Sequence, residues 1–311
     1  MKKRILVVSS ANIDFVMKVG KLPAAGQTVI EPRGYSYVPG GKGANAALAL
    51  ARLGADCVFC AKLGSDDHAQ KLRSLYVDEG IDVRFLQNDR TASTGLASII
   101  VEESGANRII VYPGANNNLS SDDVEDAMTC IPDAVLVQME IPDEAVIAAT
   151  KFAKKRNIPV ILDTGATRPD WPIDLLGPLE VITPNESETF ALTGIMPTNT
   201  TECLRAADKL MQRVDTKYVV IKLGGRGAYI HDGKYSKLVS AYESDVVDTT
   251  AAGDAFTAAL THEYLNSGDI VRAVRYANAV GAIVVSREGA STSLPTSRQV
   301  DAFIERNGII L

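Results

Sequence analysis

The stretch Val247-Asp248-Thr249-Thr250-Ala251-Ala252-Gly253-Asp254-Ala255-Phe256 puts small residues and one acid at the mouth of a helix. From Ala255 onward, Phe256, Ala259, Leu260 and Tyr264 recur at helical spacing. Ala251, Ala252 and Gly253 let backbone N–H groups come close to a ligand. The unpaired N–H groups of a first helical turn, together with the helix dipole, attract an anion. Asp254 then stands beside that anion. Such a pairing suits phosphoryl transfer: the cradle holds the moving group and the acid accepts the proton of an attacking hydroxyl. The plainer alternative is an ordinary helix start with the Asp as its N-cap.

Other groups carry chemistry at defined spacings. Asn12 and Asp14 are two apart after an apolar run, so in extended chain they face one side while Ile13 faces the other. An amide beside a carboxylate can hydrogen-bond neighbouring hydroxyls of a sugar; a simple turn is the alternative. Gly40-Gly41-Lys42-Gly43-Ala44-Asn45 leads into a helical pattern, and its glycines allow close backbone approach to a ligand. It is not a Walker A loop, which would need Gly at 36 and Ser or Thr at 43, where Ser36 and Gly43 stand. Glu140 follows an apolar run, at the edge where ligands bind. Asn185 and Glu188, three apart at a helix start, form either a capping box or a pair that orders water around magnesium. Leu223-Gly224-Gly225-Arg226-Gly227 joins two apolar runs, as a plain hairpin turn or as a loop over nucleotide phosphates.

These residues need a frame. Strand-like runs at 5–10, 57–62, 134–138, 160–163, 181–184, 218–223 and 228–231 alternate with helical patterns at 43–53, 66–79, 143–156, 185–193, 201–213, 252–265, 270–287 and 297–306. This alternation predicts an α/β fold with a three-layer, doubly wound, mostly parallel sheet, and ligands beyond the carboxyl ends of its strands. Two segments, about 12–40 and 92–113, carry alternating runs without helices and predict a small antiparallel β lid. The expectation is one α/β domain over 1–311 with the lid as two excursions.

Composition narrows the function. The chain has 311 residues, 46% hydrophobic and 23% charged, with a net charge of −6, which argues against general nucleic-acid binding. The apolar run after Met1-Lys2-Lys3-Arg4 is too short for a signal peptide, and no run of membrane-spanning length exists, so the cytoplasm is expected. Cys57 and Cys60 are three apart in a strand and face opposite sides, so buried thiols are expected for the four cysteines rather than a metal site. His68, His231 and His262 form no ligand or triad pattern. The missing G-x-G-x-x-G after the first strand disfavours a nicotinamide enzyme.

In this order the elements resemble the PfkB family of carbohydrate kinases, and within it the ribokinase branch. Those elements are Asn12-x-Asp14, the loop at 40–45, Tyr112-Pro113-Gly114-Ala115-Asn116 and Gln138-x-Glu140. They continue with Thr183-Pro184-Asn185-x-x-Glu188, the loop at 223–227, and Asp248 to Asp254. The resemblance implies ATP-dependent phosphorylation of the O5 hydroxyl of D-ribose, or of another pentose, sugar or nucleoside. By motif, Asp254 would be the proton acceptor, kept ionised by the helix dipole, and the N–H groups of Ala252, Gly253 and Asp254 the anion hole. Asn12, Asp14, Gly40, Gly41, Lys42, Asn45 and Glu140 would hold the sugar. Asn185, Lys222, Gly224, Gly225, Gly227, Gly253 and Asn278 would meet the nucleotide, with Asn278 near the adenine. Mg2+ would be arranged through water by Asn185 and Glu188. K+ would take oxygens from Asp248, Thr250, Val284, Arg287, Gly289 and Ser293. The lid would pair two subunits in a homodimer. A non-catalytic sugar-binding protein on this frame is disfavoured by the intact Asp254 and anion hole. The chain departs from the branch at Asp163-Thr164-Gly165-Ala166, Lys222 and Thr257, which bears on the choice of sugar.

Overall fold

In Ile5-Leu6-Val7-Val8 every residue is apolar, as expected of a strand covered on both faces. In the computed structural model, which describes residues 2–30, 33–104 and 106–311, all four are fully buried, and alternate residues enter different cores. The chain runs β1 (Arg4–Val8), β2 (Asn12–Val19), β3 (Tyr35–Gly40), α1 (Lys42–Leu53), β4 (Asp56–Leu63), α2 (Asp67–Asp78), β5 (Leu86–Asn88), β6 (Gly95–Glu102), β7 (Asn107–Tyr112) and α3 (Ser121–Ala127). It continues β8 (Ala134–Gln138), α4 (Asp143–Lys155), β9 (Val160–Asp163), β10 (Leu179–Thr183), α5 (Glu186–Thr193), α6 (Thr200–Arg213), β11 (Thr216–Lys222), β12 (Ala228–His231), β13 (Ser236–Val239), α7 (Ala252–Ser267), α8 (Ile270–Val285) and α9 (Ser297–Arg306).

The large sheet has the order β13-β12-β11-β10-β9-β8-β1-β4-β5, parallel except for β12 and β13 at one edge. From β1 the chain winds one way to β4 and β5, then the other way from β8, so the order reverses at β1 and β8. Beyond such a reversal the loops part and leave a crevice. Ile5 and Val7 pack with α1, α7 and α8, while Leu6 and Val8 pack with α3, α4 and α6. Cys57 and Cys60 divide between the same two cores, and all four thiols are free and buried.

The lid is a second sheet, ordered β3-β2-β6-β7. Its outer pairs are antiparallel as expected, and the central pair β2–β6 is parallel, because both strands leave the same edge of the main sheet. Three elements escaped the sequence reading, the three-residue strand Leu86–Asn88 among them. Ser121–Ala127 is too short and acidic to show a period, and Ser236–Val239 is a short, half-polar edge strand.

Candidate active site

β1 ends at the reversal, and four residues later Asn12 opens β2. The period of two holds: Asn12 and Asp14 are both buried on the site side. Asn12 is fixed from behind, because Asn116 donates to its Oδ1 at 2.7 Å and accepts from the Ala11 N–H at 2.9 Å. Glu140 lies just past β8, where it accepts from Ser10 Oγ at 2.5 Å and from the Lys42 N–H at 3.2 Å.

The glycines before α1 have a different reason from the one expected. A Cβ on Gly40 would stand 2.2 Å from the Asp14 carboxylate, and one on Gly41, at φ +89°, 2.8 Å from the Asn12 nitrogen. These glycines let the lid root and the loop press against each other, which in turn brings Lys42 and Asn45 to the acids. Lys42 passes over Gly165, where a Cβ would meet its Cδ at 2.7 Å.

α7 begins at Ala251, which is left-handed at φ +63°, and no side chain caps this end. Asp254 is therefore not the N-cap. It sits in the first turn, 7% exposed, accepting from Asn45 Nδ2 at 2.8 Å. Ala255 N–H makes the ladder's bond to Ala251, so the Gly253 and Asp254 N–H groups precede the ladder, while the Ala252 N–H turns back on the Thr249 carbonyl at 3.3 Å. Burial pushes the Asp254 carboxyl up to about 6, against the opposing charge of Lys42. Asp14 rises to about 7, through burial first and then the Glu140 and Asp254 charges. Lys42 is the counter-ion of this acidic nest, and the Asp254 charge before all else holds its ammonium above the usual range.

On the other side of α7 lies a cleft of about 240 Å³. Lys222, Gly224, Gly225, Gly227, Gly253 and Asn278 line it together, as expected, with Tyr242 and Phe256 supplying apolar walls. The segment at 223–227 is indeed a hairpin turn between β11 and β12 and also borders the cleft. Asn278 spends its amide donors on the Val239 and Ser240 carbonyls, at 3.2 and 3.0 Å. Asn185 is not in the lining. It caps α5 in a full capping box with Glu188, and backbone pairing ties it to Lys222.

Asp248 and Thr250 lie on the loop before α7, Val284 in the last turn of α8, and Arg287, Gly289 and Ser293 on the loop that follows it. Asp248 accepts from Thr250 N–H at 2.9 Å and from Gly289 N–H at 2.9 Å, stitching the two loops together. Burial pushes this carboxyl up, but the hydrogen bonds outweigh it and hold it below its ordinary range. An ionised carboxylate among carbonyls and a hydroxyl fits a hard monovalent cation. Glu188 already accepts from the Asn185 N–H and from Thr164 Oγ1, both at 2.9 Å, so it suits an outer, water-mediated role toward a divalent ion.

Sequence reasoning assigned no role to Gln138, Asn116, Asp163 or Thr257, although motif or departure marked each of them. Gln138 links Ser9 to Asp254, accepting at 2.8 Å and donating at 3.5 Å. Asp163 pairs with Lys222 at 3.0 Å and accepts from Thr257 at 2.7 Å.

A buried acid between a polar cradle and a glycine-lined cleft defines a phosphotransferase acting on a hydroxyl. The family described as pfkB family carbohydrate kinase matches residues 2–297, and the chain belongs to that family. It is 33% identical over 308 residues to the ribokinase of Haemophilus influenzae, covering 98% of this chain and 99% of that one. It is 36% identical over 301 residues to a bifunctional ribokinase/ribose-5-phosphate isomerase A of Fructilactobacillus sanfranciscensis, covering 96% of this chain and 55% of that protein. The structure of Arabidopsis thaliana ribokinase complexed with ribose and ATP superposes with a TM-score of 0.90 at 31% identity, over 98% of this chain and 99% of that one. The protein is a sugar kinase.

Proposed function

We propose that this kinase transfers the γ-phosphoryl group of ATP to the O5 hydroxyl of D-ribose. The carrying observation is the position of Asp254: it is buried, bonded to Asn45 on the cradle side, and follows directly on Gly253, which lines the cleft. Asn12, Asp14, Gly40, Gly41, Lys42, Asn45 and Glu140 hold the sugar. The Asn45 Oδ1, buried and without a partner, is an acceptor for a sugar hydroxyl. The sugar oxygen attacks the γ-phosphorus, and the bond from phosphorus to the bridging oxygen breaks. Its electron pair stays on ADP, and the hydroxyl proton passes to Asp254. The first-turn N–H groups of α7 meet the charge that spreads over the phosphoryl oxygens. A carboxyl near 6 is a stronger base than an ordinary one and still ionised at neutral pH.

Asn185, Lys222, Gly224, Gly225, Gly227, Gly253 and Asn278 hold the nucleotide. Asn185 and Glu188 would hold magnesium through water, and the ion would supply neutralisation of phosphate charge. Asp248, Thr250, Val284, Arg287, Gly289 and Ser293 would hold potassium, whose charge would steady the mouth of α7. The chain works as one kinase domain over 1–311. The lid pairs two copies, because Tyr35, Tyr37 and Ile110 leave apolar surface exposed on one of its faces. The protein resides in the cytoplasm: no helix among the described residues is long and apolar enough to cross a membrane, and its cysteines are free.

A cavity of about 310 Å³ lined by Asn12, Asn116, Asn117, Glu140 and Arg168 adjoins the cradle and favours, as second reading, a larger sugar or nucleoside. ADP release from Mg-ATP against pentoses, hexoses and nucleosides, with and without potassium, tests both. Potassium-stimulated turnover on ribose, lost in Asp254→Asn, is the expected result. Preference for a nucleoside would move the assignment to the second reading.

A further inference from the structure

Asp163, Lys222 and Thr257, three of the positions at which the chain departs from its branch, form one contact cluster. Lys222 Nζ lies 3.0 Å from Asp163 Oδ1 and 3.5 Å from Thr257 Oγ1. Thr257 donates to Asp163 Oδ2 at 2.7 Å, and the Gly165 N–H donates to Oδ1 at 3.1 Å. The Lys222 and Asp163 side chains are 11% and 2% exposed. A buried pair of this kind gains little stability over apolar residues of the same size, so its retention calls for another reason.

The location supplies one. Lys222 is rooted at the end of β11, where its N–H donates to the Pro184 carbonyl at 2.8 Å. Its ammonium stands 3.7 Å from where a Cβ on Gly253 would be, at the mouth of α7 and on the wall of the nucleotide cleft. Asp163 and Thr257 take two of its three N–H donors, which leaves one for a ligand. Because Asp163 also holds two other donors, the pair is a fixed cation rather than a tether that must break.

We propose that Lys222 is a catalytic residue that contacts the γ-phosphoryl group of the nucleotide, with Asp163 and Thr257 as its positioning residues. This rests on the kinase reading of the site. Removing the ammonium alone would bury a lone carboxylate, so the informative variant is the neutral pair Asp163→Asn with Lys222→Met, checked for folding by its melting temperature. Calorimetric titration with AMP and with the non-hydrolysable β,γ-imido analogue of ATP, each with magnesium and without sugar, separates the outcomes. The expected result is an analogue about 10- to 100-fold weaker in the pair variant. AMP should bind as in the wild type within about twofold, with kcat falling more than KM rises. Lys222→Arg should recover part of kcat. Equal losses for AMP and the analogue, or none for either, would overturn the proposal while leaving the kinase reading intact. A wild-type protein that bound neither nucleotide would remove the reading itself.

Discussion

The two halves of the site are built on opposite plans. On the proposed sugar side the charges of Glu140 and Asp254 act on both Asp14 and Lys42, and the glycines are pressed against neighbouring chain: a Cβ on Gly40 would meet Asp14 at 2.2 Å. On the nucleotide side the walls are apolar or backbone, and Gly224 and Gly225 have nothing within 4 Å of an added Cβ. One half invests in buried charge and fixed hydrogen bonds, which discriminate among hydroxyl patterns because an unmatched buried group is costly. The other presents backbone and a shallow apolar wall, enough for a phosphate chain and a flat base. Selectivity is therefore built into the crowded half.

Substitutions can break or sharpen this contrast. The largest effect belongs to the residue between the halves: Asp254→Asn should lower kcat by about 10²–10⁴-fold while calorimetry still finds the sugar bound. Next comes a matched pair of glycines. Gly40→Ala should displace Asp14 and raise the KM for sugar by more than about tenfold, since an overpacked site costs about 1–3 kcal/mol. Gly225→Ala, whose Cβ meets no protein atom and enters the cleft, should leave the KM for sugar within about twofold and act on the KM for ATP alone. Equal effects would erase the distinction between the halves.

The pH profile is a subtler probe. In the proposed mechanism Asp254 is ionised to accept a proton, and burial sets it at about 6 in the free protein, so kcat/KM should fall about tenfold per unit below that pH. A limb that stayed near 4 would deny the burial effect. The smallest effect is on stability. Asp14 has a folded value of about 7 against 3.8 for the free side chain, so its contribution is present below the free value and lost as pH rises through 7. Asp14→Asn should therefore raise Tm at pH 8, with no gain at pH 4; a gain of the same size at both would contradict this.

Much of the site was legible locally. The period of two set Asn12 and Asp14 on one side, and the small residues before Phe256 marked an uncapped helix mouth. Legibility stopped where the cause was distant. The glycines at 40 and 41 read as room for a ligand, yet their neighbours are Asp14 and Asn12, brought near by pairing of β2 with β3. Asp254 read as an acid at its own helix mouth, and the burial that raises it comes from other elements. Asp163 and Lys222 lie 59 positions apart, and nothing in either segment announces the other.

By itself the sequence determined the alternation of strands and helices, the two excursions that make the lid, and which short segments carry chemistry, because period and backbone freedom are local properties. Only the tertiary structure decided which acids share one counter-ion, which glycines are packed and which are open, and which lysine stands at the anion site. Those depend on burial and on through-space distance, and the winding of the main sheet around β1 brings together residues that the chain keeps far apart.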